Sequence, residues 1–391
     1  MKLRGLYYIT HIDNLESILE NGILSHNEVL RRNLKHKKIY SEEIIKKRQE
    51  KLIKNKPLGE FANLYFQPRN AMLYRIIFLE KVDVNQLVII GVKPDILNRK
   101  DIYISDGNAA SDFTNFYSSN DKDYKKILKK LRNEVNKDWW SDFDGSKRRL
   151  MAECLIEKYV PLKYILELYV ATHKARENVE KIIKNRKISV VLEPKLFFLP
   201  NREIRLTNNL IIVEGDMFFS RMQTLTISVN TVGVMGKGLA SRAKYQFPDV
   251  YVKYQELCKL KKLDLGKPFL YKRELSLDEV LSDEPKTLTE NNSHTWFLLF
   301  PTKRHWKEKA SLEGIEEGLK WILRNYKKEG IESLAVPALG CGLGGLEWRD
   351  VGPLMVRYLK KLEIPVRIYL PLEKKIPDEQ LTKNFLLNQT I

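Results

Sequence analysis

The stretch Leu225–Arg242, LTISVNTVGVMGKGLASR, runs from an apolar segment through glycines at Gly233, Gly236 and Gly238 into the start of a helical pattern. A backbone without Cβ atoms can come close to a pyrophosphate, and a helix N-terminus offers it free N–H groups and a positive dipole. The spacing is neither GxGxxG nor a Walker-type GxxxxGKS/T, so the dinucleotide and P-loop readings lose their specific support. The plain alternative is a structural strand–turn–helix. A second glycine loop, GCGLGG at Gly340–Gly345, follows another apolar run, and two such loops suit a ligand with a pyrophosphate and two sugars. FPTKRHW supplies Lys303, which by itself reads as a phosphate-binding or surface lysine. Cys341, inside the second loop, reads as a small packed side chain rather than a nucleophile.

The N-terminal half has its own candidates. His11 stands just before a capped helix, where its imidazole can bond a ribose hydroxyl or serve as a local structural donor. Arg69 follows a proline turn in LYFQPRNAMLYR and either faces a cleft or is solvated. Glu153 lies in the apolar run LMAECLIE, where burying a carboxylate without a partner would be costly.

The elements that must position these groups follow from the patterning. A chain of 391 residues, 43% hydrophobic and 10% aromatic, fits two globular domains. Pro194 and Pro200 interrupt the periodicity of Pro194–Arg205, which places the boundary near residue 205 and the domains at 1–205 and 206–391. Before it, strands are expected at Leu6–Ile9, Leu87–Val92, Ile102–Ser105 and Tyr164–Ala171, with helices at Asp123–Val135 and Ala175–Lys184. RRLMAECLIEKYV is ambiguous between helix and strand, and residues 28–56 form a basic excursion expected to be helical. After the boundary, strands at Leu210–Val213, Leu225–Val229, Trp296–Phe300, Ser333–Val336 and Val366–Tyr369 alternate with helices at Lys237–Leu260, Ser311–Lys328 and Asp350–Leu362. That alternation predicts a mostly parallel three-layer α/β sheet with its ligand at the strand C-terminal ends. Residues 271–294 read as an irregular polar insertion.

Charge and cysteine usage narrow the partners. The surplus of 68 basic over 50 acidic residues, a net +18, favours a polyanion, although a lysine-rich solvated surface explains it equally well. Three scattered cysteines and six scattered histidines show no disulfide framework and no metal spacing, so no metal is expected and a reducing cytoplasm fits. No run approaches the ~18 apolar residues of a membrane span, and the N-terminus lacks a signal-peptide core.

Two resemblances emerge from ordered motifs. VEGD, VNTVGVMGKGLA, FPTK and GCGLGG, over about residues 208–370, resemble a macrodomain, and VNTVGVMGKGLA with FPTKRHW resembles its DarG branch. YYITHIDNLESILENGIL, NLYFQPRNAMLY, ISDGNAAS and RRLMAECLIEKYVP, over about residues 4–190, resemble DarT. The implied architecture is an α+β ADP-ribosyltransferase fold with a split β-sheet core, followed by the α/β three-layer macrodomain.

The resemblance also implies chemistry. The first half would transfer ADP-ribose from NAD to a base, thymidine, in single-stranded DNA, and the second would hydrolyse it off, a toxin–antitoxin fusion needing no separate protein partner. Thr10, His11, Ile12, Asn21, Gly22 and Ile23 would hold NAD. Glu153 would bind the ribose 2′-hydroxyl and offset the oxocarbenium charge, and Arg69 would favour the deprotonated base nitrogen. Tyr65, Trp139 and Trp140 are candidates to stack on the unpaired base, the two tryptophans being also candidates for the core. In the macrodomain, Asp216 and Met217 would meet the adenine, and Val229 and Asn230 the distal ribose. Gly236, Lys237, Gly238, Leu239 and Ala240 would cradle the phosphates together with Gly340, Cys341, Gly342, Leu343 and Gly344. Lys303 would act at the anomeric carbon, which its amine can do if partial burial and nearby Arg304 lower its pKa. Related carboxylate-ester hydrolases carry an acidic residue where this chain has Gly344, so a mechanism through an aspartate there is not expected. DarG proteins carry a further toxin-blocking domain, and with few residues after Leu370, restraint is expected to rest on hydrolysis. The alternatives are a transferase acting on protein or RNA, and a macrodomain that only reads ADP-ribose.

Overall fold

LVIIGV at Leu87–Val92 is buried along its whole length, as a strand covered on both faces must be. It lies inside the first of two large sheets in the computed structural model, which describes residues 5–39, 42–184, 186–273, 295–372 and 374–388. The chain divides into two units, Met1–Phe198 and Leu199–Ile391. Most of the expected polar insertion at 271–294 lies outside the described residues.

The first unit is built on an eight-stranded sheet. Its order is Ser189–Leu192, Ile165–Val170, Leu87–Val92, Leu6–His11, Phe61–Tyr65, Glu153–Glu157, Ile102–Ser105 and Phe116–Ser118. Every neighbouring pair is antiparallel except the first, which is parallel. Leu6–His11 meets Phe61–Tyr65 at the single register position Tyr7–Tyr65, so the sheet opens there into two halves. RRLMAECLIEKYV resolves its ambiguity by doing both: Ser146–Leu150 is a short helix and Glu153–Glu157 a strand. The basic excursion is partly helical. His26–Arg31 and Glu42–Glu50 are helices, and Leu52–Ile53 with Lys56–Pro57 forms a small hairpin. Asn27, Arg31 and Gln49 join the two helices through Glu60, so this exposed, lysine-rich segment is tied to the sheet.

The second unit is the predicted doubly covered α/β sheet. Five parallel strands, Leu210–Glu214, Val366–Tyr369, Leu334–Pro337, Thr224–Asn230 and Trp296–Lys303, are flanked by antiparallel edges Arg202–Arg205 and Phe269–Tyr271. Side chains alternate across it. Ile212, Leu298, Phe300, Val336 and Ile368 join the core beneath Leu312–Glu329 and Trp348–Leu359. Val213, Leu225, Ile227, Phe297 and Leu299 join the core beneath Gly238–Gln246 and Pro248–Lys259. The expected single helix at Lys237–Leu260 is therefore two, broken at Phe247, because Pro248 cannot donate the backbone bond that would continue the first.

Candidate active sites

Glu153 opens its strand in register with Tyr65, which in turn faces Tyr7 across the split. Its side chain is 0% exposed, and the surrounding structure answers the cost of that burial. Ser105 Oγ accepts the Glu153 backbone N–H at 2.9 Å, and the Ala109 N–H donates to Oε1 at 2.9 Å. Both partners belong to ISDGNAAS, so that stretch fixes the Glu153 backbone through Ser105 and its carboxylate through the Ala109 N–H. The counter-charge is Arg48, whose Nη1 lies 3.0 Å from Oε2 and 3.4 Å from Oε1. It comes from the helix Glu42–Glu50 of the basic excursion, a segment to which no role could be attached from sequence. The one available signal was a buried carboxylate that had to have a cation, with nothing to say which of many basic residues it was.

Arg69 has different surroundings. It is buried, donates from Nη1 to the Asp138 carbonyl at 2.6 Å, and its guanidinium stands 5.0 Å from the Phe198 ring centroid. Thr10, His11 and Ile12 end the first strand and begin the turn into the helix Leu15–Asn21. His11 Nδ1 accepts the Asp13 N–H at 3.1 Å, which leaves Nε2 as the ring nitrogen for a ligand. Thr10 Oγ1 accepts from Asn14 Nδ2, and Asn14 also bonds both backbone groups of Lys37, joining the strand end to the basic excursion. Asn21 bonds the Ser17 carbonyl, Gly22 caps the helix at φ +81°, and Ile23 pairs with Val160. Of the aromatic candidates, Trp140 takes the core role, sealed among Tyr74 and Phe198, and Tyr65 is buried beside Glu153 at 7% exposure.

In the second unit the four expected segments all follow C-terminal strand ends. Asn230 and Lys303 are register partners on adjacent strands. The Lys303 amine donates to the carbonyls of Glu308 at 2.9 Å and Leu343 at 3.2 Å. Partial burial lowers its pKa, and the Glu308 carboxylate works against that shift. Arg304, expected to contribute, instead faces Asp264 at 3.6 Å and is largely solvated. Asn230 is occupied in holding the loop: Nδ2 donates to the Val234 carbonyl, while Oδ1 accepts from Val232 N–H at 3.0 Å and from the Tyr254 hydroxyl at 2.8 Å. Tyr254 is fully buried and donates to the Asn230 carbonyl as well.

Asp216 caps the turn at Met217–Phe219 through the Phe218 N–H and pairs with Arg242 at 2.8 Å. Met217, Val229 and Cys341 turn their side chains into the core. Burial pushes the Cys341 thiol up to about 12, so it is no nucleophile at neutral pH. Gly236 and Lys237 lead into Gly238, where the helix containing Leu239 and Ala240 begins. Gly238, at φ +60°, lies under Leu343, the tip of the facing loop Gly340–Gly344. Gly344 explains the missing acidic residue. A Cβ there would stand 2.5 Å from the Gly340 carbonyl oxygen, so no side chain fits.

Among the described residues no three metal-ligating side chains come together, and no helix is long and apolar enough to cross a membrane.

Residues 7–198 match the family model "ssDNA thymidine ADP-ribosyltransferase, DarT", and residues 287–355 match "Macro domain". The DNA ADP-ribosyl glycohydrolase of Thermus aquaticus is 35% identical over 162 residues, 41% of each chain. The chain superposes on Thermosipho africanus DarTG in complex with ADP-ribose with a TM-score of 0.90, at 58% identity, over 98% of this chain and 100% of that one. A DNA ADP-ribosyl transferase–DNA ADP-ribosyl glycohydrolase fusion protein of Thermosipho africanus is 60% identical over 99% of both chains. With both halves matched end to end, the chain belongs to the DarT–DarG fusion family, whose members join a DNA ADP-ribosyltransferase to a DNA ADP-ribosyl glycohydrolase.

Proposed function

We propose that the first unit writes ADP-ribose onto thymidine in single-stranded DNA, using NAD, and that the second erases the same mark. The observation that carries the first half is the buried Glu153–Arg48 pair at the split of the sheet. Glu153 accepts a hydrogen bond from the ribose 2′-hydroxyl of NAD and stabilises the positive charge that develops as the C1′–N bond breaks and its electron pair leaves with nicotinamide. The thymine ring nitrogen then bonds to C1′, and its proton leaves to solvent. A guanidinium beside the carboxylate favours that deprotonated nitrogen, and we assign this role to Arg48 in place of Arg69. His11 Nε2 and the backbone at Asn21–Ile23 hold the rest of NAD.

In the second unit the two glycine loops hold the diphosphate and Asp216 the adenine. The neutral Lys303 amine bonds to the anomeric carbon as the bond to the base nitrogen breaks, the base taking up a proton. Water then releases ADP-ribose from the lysine. Asn230, anchored by Tyr254, keeps the first loop in shape. With both activities on one chain, the second unit can reverse the mark that the first installs.

Mass spectrometry of a thymidine-containing oligonucleotide after incubation with NAD tests both halves. The Lys303→Ala chain is expected to leave the oligonucleotide heavier by one ADP-ribose, and the intact chain to leave less of it or none. Labelled NAD offered with separate DNA, RNA and protein pools identifies the acceptor. Label in protein or RNA alone would overturn the DNA assignment.

A further inference from the structure

Beyond Lys303 the chain makes a tight turn at Arg304–Lys309. The His305 N–H donates to Glu308 Oε2 at 3.1 Å, the Glu308 N–H to the His305 carbonyl at 3.1 Å, and the Lys307 N–H to His305 Nδ1 at 3.3 Å. Its ends are fixed to the site itself. Thr231 donates to the Arg304 carbonyl through both N–H and Oγ1, the Ala310 N–H bonds the Gly344 carbonyl, and the Lys303 amine bonds the Glu308 carbonyl. The turn is thus joined to the reacting amine and to both glycine loops. Yet its tip carries Trp306, 51% exposed.

An indole left 51% exposed by a turn this constrained is an apolar surface presented at the rim of the site rather than an incompletely packed core residue. His305 lies against one side with ring centroids 5.4 Å apart, and Lys307 Nζ stands 5.1 Å from the ring centroid. Arg304 and Lys309 are exposed beside it. The combination of an aromatic platform and flanking cations is what an unpaired base between phosphates requires.

We propose that Trp306 is the residue on which the glycohydrolase stacks the nucleobase of its single-stranded DNA substrate, with Arg304 and Lys307 meeting the adjoining phosphates. The bond to be broken has two sides. The glycine loops and Asp216 serve the ADP-ribose side, and the leaving base must lie next to Lys303 but outside that pocket. The Trp306 turn is the part of the site that fits that description. This rests on the reading in which Lys303 acts on ADP-ribosylated DNA.

The test compares the full-length chain with Trp306→Ala, Trp306→Leu and Trp306→Phe. Two quantities are measured: release of ADP-ribose from a short oligonucleotide carrying one modified base, over a range of its concentration, and calorimetric binding of free ADP-ribose. Losing a base stack raises KM for the oligonucleotide roughly tenfold or more. We expect a smaller change in kcat, substantial rescue by phenylalanine but not by leucine, and unchanged affinity for free ADP-ribose. An unchanged KM in both the alanine and leucine variants overturns the proposal. So does an equal loss of free ADP-ribose affinity, which would assign the ring to the nucleotide pocket. If the intact chain releases nothing from the oligonucleotide, the hydrolase reading fails separately. Displacement of labelled ADP-ribose by the modified oligonucleotide, with and without Trp306→Ala in a Lys303→Ala chain, then still decides whether the base is stacked.

Discussion

Arg48 Nη1 lies 3.0 Å from Glu153 Oε2, although the two residues are separated by more than a hundred positions in sequence. The pair gives a fully buried carboxylate its counter-charge and gives the basic excursion a purpose. Removing one partner leaves an uncompensated charge, whereas neutralising both does not. Arg48→Ala should therefore cost about 2–3 kcal/mol of stability in the first unit, and adding Glu153→Gln should recover much of it. Transfer to DNA should fall roughly a hundredfold or more in either single variant and stay lost in the double. Thermal unfolding and labelled-NAD transfer measure the two effects; a fully active Arg48→Ala chain would remove Arg48 from the site.

On the proposed mechanism Lys303 reacts as a neutral amine, and partial burial holds its pKa below the usual lysine value. Deprotonation increases with pH, so release of ADP-ribose from DNA should climb as pH rises toward that lowered pKa and level off above it. Free ADP-ribose binding should not follow the same curve. Lys303→Arg, which stays protonated throughout, should be inactive at every pH.

Balance between the halves can be read in cells. Expression of the Lys303→Ala chain should be toxic, and adding Glu153→Ala should relieve the toxicity. A harmless Lys303→Ala chain whose transferase is active in the test tube would show that restraint does not rest on hydrolysis.

Tyr254 holds Asn230 by two hydrogen bonds from beneath the first glycine loop. Tyr254→Phe keeps the ring but removes the hydroxyl shared by the two Asn230 oxygens, leaving Oδ1 with the Val232 N–H, at a cost of about 1–2 kcal/mol. Calorimetry should show ADP-ribose binding weakened roughly five- to thirtyfold, with Lys303 chemistry on bound substrate less affected.

Gly344 has a simpler test. Because the Gly340 carbonyl occupies the space of a side chain, Gly344→Asp should lower the melting temperature and weaken ADP-ribose binding rather than supply a carboxylate mechanism. A stable Gly344→Asp chain that binds ADP-ribose normally would show that the loop adapts.

Much of this protein is written in local pattern. The alternating strands and helices of the second unit, its two glycine loops and Lys303 were legible because periodicity and strand-end position are local properties, and the parallel sheet brings such ends together. The anomalous carboxylate Glu153 could likewise be found along the chain, but not that ISDGNAAS would fold against it. The partner of Glu153 could not. Which cation meets a buried carboxylate depends on how a long, highly charged excursion packs back onto the sheet, and every arginine and lysine in it is equivalent until Gln49, Asn27, Arg31 and Glu60 anchor the helices. For the same reason the sequence did not separate buried Tyr65 from a stacking platform, while Trp306 is left exposed by a turn whose ends are tied by tertiary hydrogen bonds. Sequence determined which chemistries were present; the three-dimensional packing decided which charges neutralise one another and which aromatic faces remain for a substrate.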